Sequence, residues 1–373
     1  MNIPLSLPAI GKEEEEAVLQ VLRSGWLTHG PKTTEFEQMM ANYLGVSHGI
    51  AVNSCASALH LALVAHRIRG EVIIPSFTFV ATANAVVTAG AKPVFAEVDR
   101  ATRNLSPKAT AAAITPRTEA IMPVHWGGLP CDMGAFSLLA ERYGLALIED
   151  SAETVGGTYQ GKKAGSYGTG CFSFFPTKNI TCGEGGMLTT NNDNVARVAR
   201  TYAAHGIAST THARQTAHQP WQRSAVVPGF NMRMSNILAA VGVEQLRKIE
   251  VLNEKRRALA ARYTQRLGGV RELEIPVEPE GYFHVYQMYT ILVPPERRSA
   301  LITALKGQGI NASVHFDPPV HVQNYYRENY PSGSLPVTEE LSRSIVTLPL
   351  YPDMSSEQVD VVAEAITAFM GEN

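Results

Sequence analysis

The sequence places a lysine where lysines are uncommon. In "CFSFFPTKNITCGEGGM" (residues 171–187), Lys178 follows an apolar run and precedes a glycine-rich turn. A lysine against packed apolar surface must be neutralised or used, whereas one that only ends a strand is solvated. The stretch by itself allows both. In "LIEDSAETVGG", Asp150 stands just past an apolar strand-like run, either as a turn former or as a strand-end acid. In "AVNSCASALHLALVAH" a strand-like start gives way to small residues, Ser54 to Ser57, and then to a helix. That start is a tightly packed capped helix or an anion seat, because free N–H groups at a helix N-terminus attract negative charge. The chain has no G-x-x-x-x-G-K-[ST], and no G-x-G-x-x-G follows the first strand, so nucleotide P-loops and dinucleotide sites lack support. A phosphate seat, a strand-end acid and a strand-end lysine together are what pyridoxal phosphate needs. It takes donors for its phosphate, an acid opposite its ring nitrogen and an amine for a Schiff base.

Those residues must be held by elements, and the first half alternates the two kinds. "KEEEEAVLQVLRSG" and "TTEFEQMMANYLG" carry apolar residues at helical spacing and stop at Gly25 and Gly45. The short apolar runs "EVIIP", "KPVFAEV", "AIMPVHW" and "LALIED" read as strands. Between them "FTFVATANAVVTAG" and "CDMGAFSLLAERYG" read as helices, the second capped by Asp132. Strands alternating with helices predict a mostly parallel sheet covered on both faces, with chemistry at the carboxyl ends of the strands. From Ser235 to Gly269 the pattern is strongly helical. A smaller α+β portion follows, with strand-like "VYQMYTILVP" and "INASVHF", helical "ERRSALITALKGQG", and a last helix opened by Ser355 and Gln358 in capping-box spacing. The expected division is a large α/β domain over residues 1–242 and a small C-terminal α+β domain over 243–373.

Composition narrows the class. The 373 residues are 45% hydrophobic and 18% charged with a net charge of -2, ordinary for a globular protein and without the basic footprint of a nucleic-acid binder. The four cysteines, Cys55, Cys131, Cys171 and Cys182, form no C-x-x-C pair, so neither a zinc site nor a disulfide framework is expected. The N-terminus lacks the features of a signal peptide and no apolar run is long enough to span a membrane, so a cytoplasmic protein is expected.

Ten motifs, in order, carry a resemblance over essentially the whole chain: "GWLTHGPKTTEFE", "NSCASALHLAL", "PSFTFVATANAV", "PVHWGG", "EDSAET", "GCFSFFPTKN", "GEGGMLTTN", "GFNMRMSNILAA", "SVHFDPPVH" and "TLPLYPDM". Together they resemble the DegT/DnrJ/EryC1/StrS family of fold-type-I (aspartate aminotransferase-like) sugar aminotransferases. The resemblance implies pyridoxal 5'-phosphate (PLP) as an internal aldimine on Lys178, with a pyridoxamine phosphate (PMP) form during turnover. It implies Asp150 as partner of the ring nitrogen, and Ser54, the Cys55 backbone and Ser173 as phosphate contacts. It places Phe79 over the ring, where the residue read alone could equally be a core aromatic. Glu153 falls near the ring hydroxyl, where many members have Gln or His and members resembling perosamine synthases have Glu. Asn231 and Arg233 would reach across a homodimer interface, the first to the phosphate and the second to the amino donor's carboxylate; read alone, Arg233 is a surface ion-pair residue. Ala56 departs from the family's usual Thr, which removes one phosphate hydroxyl. His125 is expected beside the cofactor, while His315 and His321 either cap turns or meet the sugar. Loop 210–222 aligns with no function. The function implied is transfer of an amino group from an amino acid, L-glutamate above all, to a nucleotide-linked 3-keto or 4-keto hexose for amino-sugar biosynthesis. The rivals are a PMP-dependent sugar dehydratase, whose members carry His at the Schiff-base position, and a non-catalytic PLP-binding sensor or scaffold.

Overall fold

The computed structural model describes residues 2–207 and 224–371, so loop 210–222 lies outside the described residues. Seven strands form the main sheet: β1 (His48–Val52), β2 (Glu71–Pro75), β3 (Lys92–Ala96), β4 (Thr118–Ile121), β5 (Ala146–Asp150), β8 (Thr169–Ser173) and β9 (Gly186–Thr190). A three-stranded satellite sheet holds β6 (Thr158–Tyr159), β7 (Lys162–Lys163) and β10 (Tyr282–Phe283). The main order is β1-β9-β8-β5-β4-β2-β3, and only β9 runs against the rest.

The sheet is covered on both faces, and the period of two in its strands sorts the cover. Val72, Ile74, Ile148, Cys171 and Leu188 face one cluster with Leu59 and Leu63 of helix α3 (Cys55–Ala65). Their chain neighbours point the other way: Ile73 and Leu147 meet Phe136, while Phe172 and Met187 meet Phe36 and Met40. This is why the strands read as continuous apolar runs rather than alternating ones.

The expected caps are present. Ser54, Asp132, Ser235 and Ser355 each accept a backbone N–H in the first turn of their helices. The Gln358 side chain completes the box with the Ser355 N–H at 2.9 Å. Two expectations need correction. The helical stretch after Ser235 is two helices, Asn236–Arg247 and Ile249–Leu267, broken at Lys248. "INASVHF" makes only isolated bridges, Ile310 to Ile3 and Ser313 to Thr347, and no strand.

The C-terminal unit packs the helices Ile249–Leu267, Pro295–Gly307 and Ser356–Gly371 on an antiparallel pair, β11 (Tyr289–Leu292) with β12 (Ile345–Leu348). Residue 242 falls inside the helix Asn236–Arg247. Ala239, Val243, Leu246 and Leu252 share the cluster of Phe36 and Phe174, and the C-terminal cluster begins at Leu259. The N-terminal segment joins that unit: Ile3 belongs to its cluster, and the Leu350 N–H donates to Leu5 O at 3.1 Å. Among the described residues no helix is long and apolar enough to cross a membrane.

Candidate active site

Six of the seven main strands share one direction, so their carboxyl ends gather at one edge, and the reversed β9 begins there. Asp150 and Ser173 end β5 and β8, Ser54 follows β1 by two residues, and Phe79 lies four beyond β2. Between this edge and the C-terminal unit lies a cavity of about 590 Å³. Ser54, Cys55, Phe79, Asp150, Glu153, Ser173 and Lys178 all line it.

Helix α3 starts at the cavity because Ser54 caps it, its Oγ accepting the Ser57 N–H at 3.1 Å. β9 passes directly behind this start: a Cβ on Gly186 would lie 2.6 Å from the Cys55 amide nitrogen. Only glycine permits that approach, and Ser54, Cys55 and Ala56 at the start of the helix line the cavity. Ala56 lines the same wall with no hydroxyl to add.

Asp150 is 4% exposed. Its Oδ2 accepts from Thr82 Oγ1 at 2.8 Å and its Oδ1 from the Ala152 N–H at 3.2 Å. Burial pushes its carboxyl above the ordinary range, against the two hydrogen bonds, and the Glu153 charge adds to the rise. No cation forms an ion pair with it among the described residues. A buried acid in this state suits a ligand that brings a cationic N–H, as a protonated ring nitrogen does.

Lys178 follows the turn closed by its own N–H on Phe175 O, 2.9 Å away. Its Nζ sits 3.1 Å from Glu153 Oε1, with the two side chains 16% and 9% exposed, so this is not a solvated strand end. The other Glu153 oxygen accepts the Gly127 N–H at 2.8 Å. Phe79 is 60% exposed with its ring 6.0 Å from that of Phe316, which removes the core-aromatic alternative.

Asn231 and Arg233 do not line the cavity. Their backbones bridge to Ala204 and Val52, which puts Arg233 beside the end of β1. His125 is also absent from the lining and fully buried, a correction to its expected place beside the cofactor. His321 is held by Ser76 at 2.6 Å, away from the cavity. His315 does line it, its Nδ1 2.8 Å from Thr347 Oγ1, and burial lowers its pKa, which favours the neutral ring.

Sequence reasoning missed Thr82 and Gln287. Thr82 lies within a segment legible only as helix. Gln287 donates to the carbonyl of Thr177, the residue before the lysine, at 2.9 Å, and lines the cavity from the approach to β11. No local pattern marks either residue.

The arrangement can seat a phosphate at the start of α3, pair a ring nitrogen with Asp150 and bond a carbonyl carbon at Lys178, so the residues present fit pyridoxal phosphate. Comparison with known proteins agrees. Residues 8–367 match the model of the DegT/DnrJ/EryC1/StrS aminotransferase family. Among solved structures, the aminotransferase TlmJ from Streptoalloteichus hindustanus is 32% identical, with 99% of each chain covered and a TM-score of 0.93. The sugar aminotransferase Spr1654 from Streptococcus pneumoniae, described as putative and solved in PLP and PMP forms, is 27% identical; in the PLP form 99% of each chain is covered with a TM-score of 0.91. DesI, solved in the presence of its TDP-sugar product, is 29% identical over 100% of this chain and 86% of its own, with a TM-score of 0.89.

Proposed function

The chain belongs to the DegT/DnrJ/EryC1/StrS aminotransferase family, a PLP-dependent fold-type-I enzyme, and on that premise we propose that it aminates a nucleotide-linked keto sugar at the expense of an amino acid, L-glutamate above all. The observation that carries the reading is the single cavity that joins Lys178, Glu153 and Asp150 to the start of α3.

Bound there, pyridoxal phosphate supplies a ring that withdraws electrons from the carbon under attack. The chain supplies the rest. Ser54, the Cys55 backbone and Ser173 would hold the phosphate, with Phe79 over the ring. Asp150 keeps the ring nitrogen protonated. Lys178 Nζ would take the proton from the donor's α-carbon and later return one to the sugar carbon. Glu153 lies within reach to hold the resulting ammonium. Asn231 and Arg233 act on the other subunit's site in a homodimer. Among the described residues of the lining Lys178 is the only lysine and no arginine accompanies it, so the donor's carboxylate needs a cation beyond them. Four free, buried cysteines suit the reducing cytoplasm.

A sugar acceptor offers no carboxylate, so its distant diphosphate must supply the binding energy that orients the carbonyl. Enzyme loaded with the amine form of the cofactor should recover pyridoxal absorbance quickly with a nucleotide-linked keto sugar and slowly with the free keto sugar, in single turnover. Efficient return with simple keto acids alone would reduce the protein to an ordinary amino-acid transaminase.

A further inference from the structure

His125 is completely buried, and the roles given to Lys178 and Glu153 leave it without a task. Its Nδ1 accepts the Cys131 N–H at 3.0 Å, which in a neutral imidazole puts the ring proton on Nε2. Nε2 then donates to Glu149 Oε2 at 3.2 Å. Glu149 is also completely buried, and it takes the Gly165, Tyr167 and Gly168 N–H groups at 2.7, 2.8 and 2.9 Å. Turning the ring would strand buried donors and acceptors at both ends, so the imidazole is locked.

The backbone around that ring is tied to the site. The His125 N–H donates to Asp150 O at 3.1 Å, and its carbonyl accepts Thr154 Oγ1 at 2.9 Å. Next comes the tight turn Trp126–Gly128, with φ of 64° at Gly127 and 101° at Gly128, left-handed values that glycine tolerates. The Gly127 N–H meets Glu153 Oε2, and Glu153 Oε1 meets Lys178 Nζ. The same turn is fastened from the other side, where Val285 N–H donates to Gly128 O at 3.0 Å.

We infer that His125 is a positioning residue for Lys178: locked between Glu149 and the Cys131 amide, it fixes the turn whose Gly127 N–H aims Glu153 at the lysine amine. The inference rests on the role proposed above for Lys178. It predicts that His125 acts through Glu153, so the two should not be independent.

The test is a double-mutant cycle on enzyme reconstituted with pyridoxal phosphate, using His125→Ala, Glu153→Gln and the pair. His125→Gln is added because it retains an N–H that can reach Glu149. Two quantities are read: the single-turnover rate with glutamate per bound cofactor, and the rate at which borohydride fixes cofactor to the chain. His125→Ala should lower both about tenfold, with partial recovery in His125→Gln, and by less than about twofold when Glu153 is already Gln. Multiplicative losses would overturn the inference. So would a loss confined to melting temperature and cofactor content, with the rate per bound cofactor unchanged. Where His125→Ala does not fold, His125→Gln carries the cycle. Borohydride fixation that survives in Lys178→Ala would instead sink the role of the lysine, whatever the cycle gives.

Discussion

Asp150 has nine-tenths of its surface withdrawn from water and no cation paired with it among the described residues, so its charge is costly until something positive arrives. Its folded-state pKa lies above the ordinary 3.8, so ionisation costs the folded chain more than the unfolded one. Below the ordinary value both forms are protonated and the cost is absent; it grows as pH rises and is complete above the folded value. Asp150→Asn removes it. The cofactor-free variant should therefore melt above the cofactor-free wild type near neutral pH, with the gap closing in acid. Bound pyridoxal phosphate should reverse the order, because a cationic ring nitrogen pairs with a carboxylate and not with an amide. Thermal melts across pH, with and without cofactor, check both halves, and equal melts throughout would mean that no charge is felt there. The sequence made Asp150 legible because an acid ends an apolar strand. It left Thr82 and the Gly127 amide hidden, since contacts across 68 and 26 positions have no local signature.

Local structure was most legible where side chains bond their own backbone. Ser54, Asp132, Ser235 and Ser355 are capping types at the right offsets, and each caps. The break at Lys248 was not legible, because the helical apolar pattern runs through it unchanged. "INASVHF" alternates as a strand would, yet its end lines the cavity through Val314, His315 and Phe316 instead of pairing. The α3 cap has a double consequence. Ser54→Ala should lower stability by about 1 kcal/mol through the lost cap. It should also speed cofactor release, because the same residue lines the cavity at the proposed phosphate seat, whereas Ser54→Thr should keep both properties. Release followed by absorbance during dialysis checks this; an unchanged rate in Ser54→Ala would remove the residue from the seat.

At the scale of the whole molecule, ten ordered motifs made the architecture readable, while the joining of the N-terminal segment to the C-terminal unit through Ile3 and Leu5 left no trace in composition or period. Asn231 and Arg233 lie outside their own chain's cavity, the first bridged to Ala204 and the second to the end of β1, as residues that serve a second copy would. Mixing Lys178→Ala with Arg233→Ala under subunit exchange should therefore restore activity. Random reassociation makes half the dimers mixed, each with one intact site, so recovery should approach about a quarter of wild type. No recovery despite demonstrated exchange would place both residues in one chain's site.

The position of β1 also bears on how the protein is made. It sits at the sheet's edge, where its one strand neighbour is β9 and its end is bridged by Arg233, all of them translated more than a hundred positions later. A nascent chain thus releases β1 and the apolar α3 from the ribosome well before their neighbour exists. The start of α3, the proposed phosphate seat, packs against Gly186, so it cannot be finished until β9 emerges. During that interval an unpaired strand and a helix buried on nearly every side in the finished fold stand open to other chains. Stalled or truncated products ending between residues 65 and 186 should be the species that chaperones hold.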